Sequence, residues 1–321
     1  MKIGIVGCGA LGCYYGAMLG RDGHDVHFLL RSDFDVVKRR GVSIKSPNGD
    51  FNFRPIPARI PEQIGPCELV LIGLKTTAND RFAELIPPLV DSKTAVMTLQ
   101  NGLGNEDALA NLFPREQILG GLCFVCLNRT KPGQVQHIAH GKIVMGEFAG
   151  WPEPRTHGIC TAIKHAGVPC IVTAKLERAH WEKLIWNIPF NGLGVAGAAG
   201  FEACISGEVT DANSVSEPVA TDVLLASEKW ESLVRELMNE VIATGQANGF
   251  EIDPKLAEKN IEATRVMGAY RASTLIDFER GLPLELDALF LEPLKRAKQV
   301  GVDTPRLESL CEVLQKLDPK S

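Results

Sequence analysis

The sequence predicts an α/β fold, with an N-terminal Rossmann-like doubly wound sheet followed by an all-helical C-terminal domain. Three observations carry this. Short apolar runs alternate with helix-length segments through the first half, a Gly-x-Gly-x-x-Gly run sits at the first strand-to-helix junction, and from about Lys175 helical spacing continues without a convincing strand. The boundary falls near residue 174, giving domains of 1–174 and 175–321. With 321 residues, two cores are expected rather than one.

Residues 3–6 (IGIV) make a short strand, 10–22 a helix rich in Ala, Leu and Tyr, and 25–30 (DVHFLL) a second strand. Strands follow at 68–74 and 94–99, with a helical segment at 79–90 between them, and another strand at 118–125. Strands alternating with helices imply a parallel sheet covered on both faces. Segments 134–139 and 142–147, joined by His140 and Gly141, read as a hairpin, 151–155 (WPEPR) as a surface loop, and 169–174 (PCIVTA) as a last strand. Helical spacing then runs through 175–198, 218–248, 254–271, 286–299 and 305–317, with the Gly-, Ser- and Glu-rich stretch 200–217 as a connecting loop.

Composition narrows the partners. Lys and Arg number 34 against 39 Asp and Glu, a net charge of −5 that opposes phosphate backbones and anionic membranes, so neither nucleic acid nor membrane is expected as a partner. Nine scattered cysteines read as reduced thiols and point to the cytoplasm. Cys123 and Cys126 form a C-x-x-C, but on a strand residues three apart face opposite ways, which disfavours a shared metal. The first twenty residues contain six glycines between Gly4 and Gly20 and no small-residue cleavage site, so they are not read as a secretion signal. The expected assembly is a monomer or a homodimer.

Gly7-Cys8-Gly9-Ala10-Leu11-Gly12 lies after a strand and at the start of a helix, the context a dinucleotide fingerprint requires. Gly7 permits the tight turn, Gly9 lets the backbone approach a pyrophosphate, and Gly12 lets helix and strand pack closely. The alternative is a Gly-rich turn without a ligand. An NAD site places Asp or Glu about 20 residues on, at the ribose 2′-hydroxyl. Here Arg31 ends the second strand, and a guanidinium suits a 2′-phosphate, which favours NADP(H); the competing reading is a solvated arginine. Lys75 and Asn101 follow two later strands at the sheet edge where such folds bind ligands.

In the helix WEKLIWNIPFNGLG, Lys183, Asn187 and Asn191 recur every four residues, each only about 40° past the last, so they share one stripe of an otherwise apolar helix. Pro189 removes a donor and is expected to kink it. Either the stripe faces water or it holds polar partners. Reducing a carbonyl with a nicotinamide hydride needs a proton donor at the oxygen, and lysine can supply both charge and proton.

GCGALG, Arg31, the LK at 74–75, the QNG at 100–102, the Lys183–Asn187–Asn191 stripe and the late Ser273-Thr-Leu-x-Asp277 with Glu285 together resemble the ketopantoate reductase family over nearly the whole chain. The resemblance implies NADPH-dependent reduction of 2-dehydropantoate to (R)-pantoate, on the way to pantothenate and coenzyme A. It makes Lys183 the general acid and Glu285 its carboxylate partner. It gives Asn187, Asn191 and Ser273 to the substrate, Asn101 to both substrate and cofactor, and Arg31 and Lys75 to the 2′-phosphate. Tyr270 departs from the family pattern, standing where some members carry a substrate-binding asparagine. Gly192 follows Asn191 in place of the usual proline, and LDALFL after Glu285 lacks the common Asn-Gly. An NADPH-dependent reductase of another 2-oxo acid, a related β-hydroxyacid or glycerol-phosphate dehydrogenase, and a non-enzymatic NADP(H)-sensing protein are the alternatives.

Overall fold

The computed structural model describes residues 1–209 and 215–319. The chain forms two compact units. One is Met1–Asn101 with Asn105–Leu176, and the other is Gly102–Gly104 with Glu177–Ser321.

The first unit holds ten strands: β1 (Lys2–Val6), β2 (Asp25–Leu29), β3 (Val42–Lys45), β4 (Phe51–Phe53), β5 (Ile56–Ala58), β6 (Leu69–Ile72), β7 (Ala95–Thr98), β8 (Ile118–Lys131), β9 (Gln134–Glu147) and β10 (Cys170–Val172). They make one sheet in the order β4-β3-β9-β8-β7-β6-β1-β2-β5, with β10 added to β9. The strands from β5 to β8 run parallel, as expected, but β8 with β9 and β3 with β4 are antiparallel, so the sheet is mixed. Side chains alternate across it. Ile3, Ile5, Leu69, Leu71, Ala95, Met97 and Leu119 enter one apolar cluster, while Val6, Val70, Ile72, Val96 and Ile118 enter another. Both faces are therefore buried, which is why these strands read as unbroken apolar runs.

The expected hairpin at 134–147 is a correction. Residues 134–147 are one strand, and the turn lies at Pro132 and Gly133, between β8 and β9. Pro132 suits the first central position of a tight turn, and Gly133 takes the positive φ, 68°, of the second. At His140 (φ 64°) and Gly141 (φ 131°) the pairing skips one residue, from Phe124↔Lys142 to Val125↔His140, so this glycine marks a bulge. β3, β4 and β5 are additions to the strands expected from the sequence. They are three or four residues long, and Pro57 within β5 is tolerated because β5 is an edge strand. Helices α1 (Ala10–Arg21), α2 (Phe34–Arg40), α3 (Phe82–Leu85), α4 (Asn105–Ala110) and α5 (Pro154–His165) complete the unit. Of the segment 79–90, only α3 is α-helical; the rest is 3-10 turns, cut by Pro87 and Pro88. The loop read at 151–155 ends in α5, with Pro154 at its start and Thr156 and Glu153 capping each other.

The helical unit is built on α6 (Leu176–Ala196), which runs on through Pro189. Trp181, Leu184, Ile185, Ile188, Phe190, Leu193 and Val195 are all buried in its core. A helix apolar on nearly every side becomes the central element. Around it are α7 (Phe201–Ser206), α8 (Thr221–Ala226), α9 (Glu228–Ala247), α10 (Leu256–Arg265), α11 (Ser273–Glu279), α12 (Glu292–Gln299) and α13 (Pro305–Leu317). Residues 201–206, expected in a loop, are thus helical, and residues 210–214 of that stretch lie outside the described residues. The helix expected over 218–248 breaks at Ser227, whose backbone is extended (φ −111°, ψ 126°). A π turn, Asp287–Leu291, precedes α12, whose Pro293 has no N–H to give to an ordinary helical bond.

Candidate active site

The glycine loop is shaped from both sides. At Gly7 (φ 98°) a Cβ would stand 2.2 Å from the backbone nitrogen of Leu74, and at Gly12 it would stand 2.3 Å from the carbonyl oxygen of Gly7. These two glycines answer to the packing of the loop itself. Gly9, which caps α1, has nothing within 4 Å of its Cβ position. That leaves open space beside the first N–H groups of a helix with no acidic residue in its first turn, a setting that fits a phosphate group. Cys8, Ala10 and Leu11 are half-buried in this loop. Burial pushes the Cys8 thiol up, Cys13 and the charge of Asp33 add to the shift, and the group stays neutral where an anion would lie.

Past β2, Arg31 is exposed, and Asp33 close behind it is buried. Both oxygens of Asp33 are engaged: Oδ1 accepts from Arg129 Nη2 at 2.5 Å and from the Ser32 hydroxyl at 3.2 Å, and Oδ2 accepts from the Gly133 N–H at 3.1 Å. A carboxylate so occupied is not available to a ribose hydroxyl. Lys75 is exposed just after β6, at the N-cap of a 3-10 turn.

Asn101, after β7, is held by an amide chain in which Gln100 belongs to the QNG at 100–102, whereas Asn79 and Asn105 belong to no motif. Thr98 donates its hydroxyl to Gln100, Gln100 donates to the side chain of Asn79 (2.8 Å), Asn79 donates to Asn105 (3.0 Å), and Asn105 donates to the carbonyl of Asn101 (3.0 Å). Gln100 and Asn105 are buried, so each amide needs such a partner. A glutamine directly after an apolar strand was the available signal.

In the helical unit, Lys183 is half-buried, while Asn187 and Asn191 are 7% and 3% exposed. Asn191 donates to the side-chain oxygen of Asn187 at 3.5 Å, and its own oxygen accepts from the Ser273 hydroxyl (3.3 Å) and the Thr274 N–H (3.1 Å). The structure therefore joins three of the residues named from sequence, Asn187, Asn191 and Ser273. The relay has a direction. With its oxygen accepting, Asn187 is left with its NH₂ as the donor for something else. Ser273 is exposed and opens α11, and Glu285 is buried at 5% exposure. His180, 6% exposed, lies two turns before Asn187 on the same stripe, and no motif in the sequence marks it. Tyr270 packs against Trp186, with ring centroids 6.0 Å apart, and Trp186 is fixed by its N–H on Thr264 Oγ1 at 2.9 Å.

A sheet with this glycine loop and a helical unit with a lysine-and-amide stripe define an NAD(P)H-dependent oxidoreductase with a Rossmann-like unit. Comparison with known proteins refines the class. The family model for ketopantoate reductase PanE/ApbA matches residues 3–150, and the model for its C-terminal part matches residues 215–318. A 2-dehydropantoate 2-reductase from Nostoc sp. is 36% identical over 100% of this chain and 96% of its own length. The solved structure of 2-dehydropantoate 2-reductase from Geobacter metallireducens GS-15 superposes with a TM-score of 0.90 at 44% identity, covering 98% of this chain and 99% of the other. The chain belongs to the ketopantoate reductase family. D-mandelate dehydrogenase, solved with NADH and anilino(oxo)acetate, shares the fold at 19% identity and a TM-score of 0.86, covering 99% of this chain and 98% of the other.

Among the described residues, no helix is long and apolar enough to cross a membrane, no group of three His, Cys, Asp or Glu could hold a metal, and all nine cysteines are free thiols.

Proposed function

We propose that this protein reduces 2-dehydropantoate to (R)-pantoate with NADPH, in the cytoplasm, as a step toward pantothenate and coenzyme A. The observation that carries the reading is the relay from exposed Ser273 through buried Asn191 to buried Asn187, one turn from Lys183. The names of the relatives point the same way.

Residues 1–174 bind the cofactor in this reading, and residues 175–321 carry substrate and chemistry. Gly7 to Gly12 receive the pyrophosphate, Arg31 and Lys75 clamp the 2′-phosphate, and Asn101 reaches both cofactor and substrate. Bound NADPH supplies the hydride to the carbonyl carbon. Lys183 gives its proton to the carbonyl oxygen, so one C–H and one O–H bond form as the C=O double bond is lost. Glu285 orients the ammonium, Asn187 offers its NH₂ to the substrate, and Asn191 and Ser273 hold that amide and the carboxylate end. Asn187 and Asn191 are held by hydrogen bonds before substrate arrives, and preorganisation of this kind is where such sites gain most of their rate.

The test follows nicotinamide absorbance with 2-dehydropantoate and a panel of other 2-oxo acids. The expected result is NADPH oxidation that is fastest with 2-dehydropantoate; no turnover, or a clear preference for another acid, refutes the assignment. Arg31→Ala is expected to weaken NADPH by about tenfold or more while leaving NADH almost unchanged. A second reading, another 2-oxo acid, is favoured by Tyr270, which departs from the family pattern and packs on Trp186, and the same panel decides it.

A further inference from the structure

Arg129 comes from the end of β8, far in sequence from the glycine loop, yet its guanidinium lies on Asp33, two residues beyond Arg31. Asp33 is 5% exposed, and its oxygens also take the N–H of Gly133 and the hydroxyl of Ser32. Asp35, the next acid along, is exposed and paired instead with Arg59 at 2.7 Å. Arg59 in turn lies over the ring of Phe34, 4.0 Å from its centroid. Asp33 is thus a buried negative charge just behind the residue expected to meet the cofactor's 2′-phosphate, and Arg129 is the cation paired with it. Arg129 Nε is buried without a hydrogen-bond partner, so this arginine does not satisfy its full set of donors.

We propose that Arg129 is a cofactor-specificity residue that acts through Asp33, cancelling a buried carboxylate that would otherwise repel a 2′-phosphate bound at Arg31. The inference rests on the NADPH reading above. A phosphate with nearly two charges, near an unpaired carboxylate in a partly desolvated site, loses affinity on the order of tenfold or more, whereas a 2′-hydroxyl carries no charge to repel. The pair is therefore required for one cofactor and nearly indifferent for the other. Arg129 is a positioning residue here, and Arg31 makes the contact.

The experiment measures dissociation constants for NADPH and NADH by the fluorescence of the reduced nicotinamide, in wild type, Arg129→Gln, Asp33→Asn and the double variant. Arg129→Gln is expected to weaken NADPH about tenfold and NADH by no more than about twofold. The double variant, which removes both charges, is expected to restore the wild-type ratio, and Asp33→Asn to keep or raise the preference for NADPH. A role only in anchoring the β8–β9 turn would weaken both cofactors together and would not be rescued by the double variant; either result overturns the proposal. If Arg129→Gln does not fold, Asp33→Asn decides, and a lowered NADPH preference in that variant overturns it. A wild type that binds NADH as tightly as NADPH instead sinks the NADPH reading.

Discussion

Glycine at three positions of one loop serves two different purposes, and substitution separates them. A Cβ on Gly12 would meet the carbonyl of Gly7 at 2.3 Å, which only a backbone shift could relieve, whereas one on Gly9 meets nothing. Gly12→Ala is therefore expected to lower stability by about 1–3 kcal/mol along with dinucleotide affinity. Gly9→Ala is expected to lower the urea midpoint only slightly, by the small cost of alanine at an N-cap, and chiefly to lose dinucleotide affinity; an unchanged affinity would show that no phosphate lies there. The Gly-x-Gly-x-x-Gly spacing made this loop legible from sequence, because each glycine's reason is local. The amide chain through Asn79, Gln100 and Asn105 was not legible, since Gln100 and Asn105 each meet Asn79 more than twenty positions away. His180 hid for a similar reason: its type and spacing do not tell a buried histidine from a solvated one.

Helices were easier to read than strands, and their ends were harder than their middles. α9 and α13 carry long apolar stripes and α6 is apolar nearly all round, while β3, β4 and β5 are too short for period-two alternation to register. The β8–β9 hairpin misled because a glycine beside a histidine looks the same at a bulge as at a turn; only the pairing with β8 distinguishes them. One element-scale contact has a measurable cost. Glu240 on α9 accepts the N–H groups of Arg306 (2.9 Å) and Leu307 (2.8 Å), closing the N-terminus of α13. Glu240→Ala leaves two helix donors without that acceptor and is expected to lower unfolding stability by about 1–2 kcal/mol. Urea titration checks this, and a shift below about 0.5 kcal/mol would mean that water serves α13 equally well.

At the scale of the whole chain, ordered motifs carried more than any single residue. Ser273 and Glu285 have ordinary readings as isolated residues, and their place in a series running from Gly7 onward set the expectation of a reductase. The regions that match the ketopantoate reductase family, and the relatives, span both units. No sequence pattern announces that Gly102–Gly104 count with the helical unit; the Leu103 N–H donates to the carbonyl of Ala288 at 2.9 Å, and a Cβ on Gly102 would stand 2.3 Å from that oxygen. The proposed chemistry rests on the ammonium group of Lys183 set in a stripe with the buried amides of Asn187 and Asn191. The most direct measurement pairs single-turnover reduction of 2-dehydropantoate with NADPH binding in Lys183→Ala. The expected rate is lower by about 100-fold or more, with the dissociation constant of NADPH unchanged. A rate within a few-fold of wild type would contradict it.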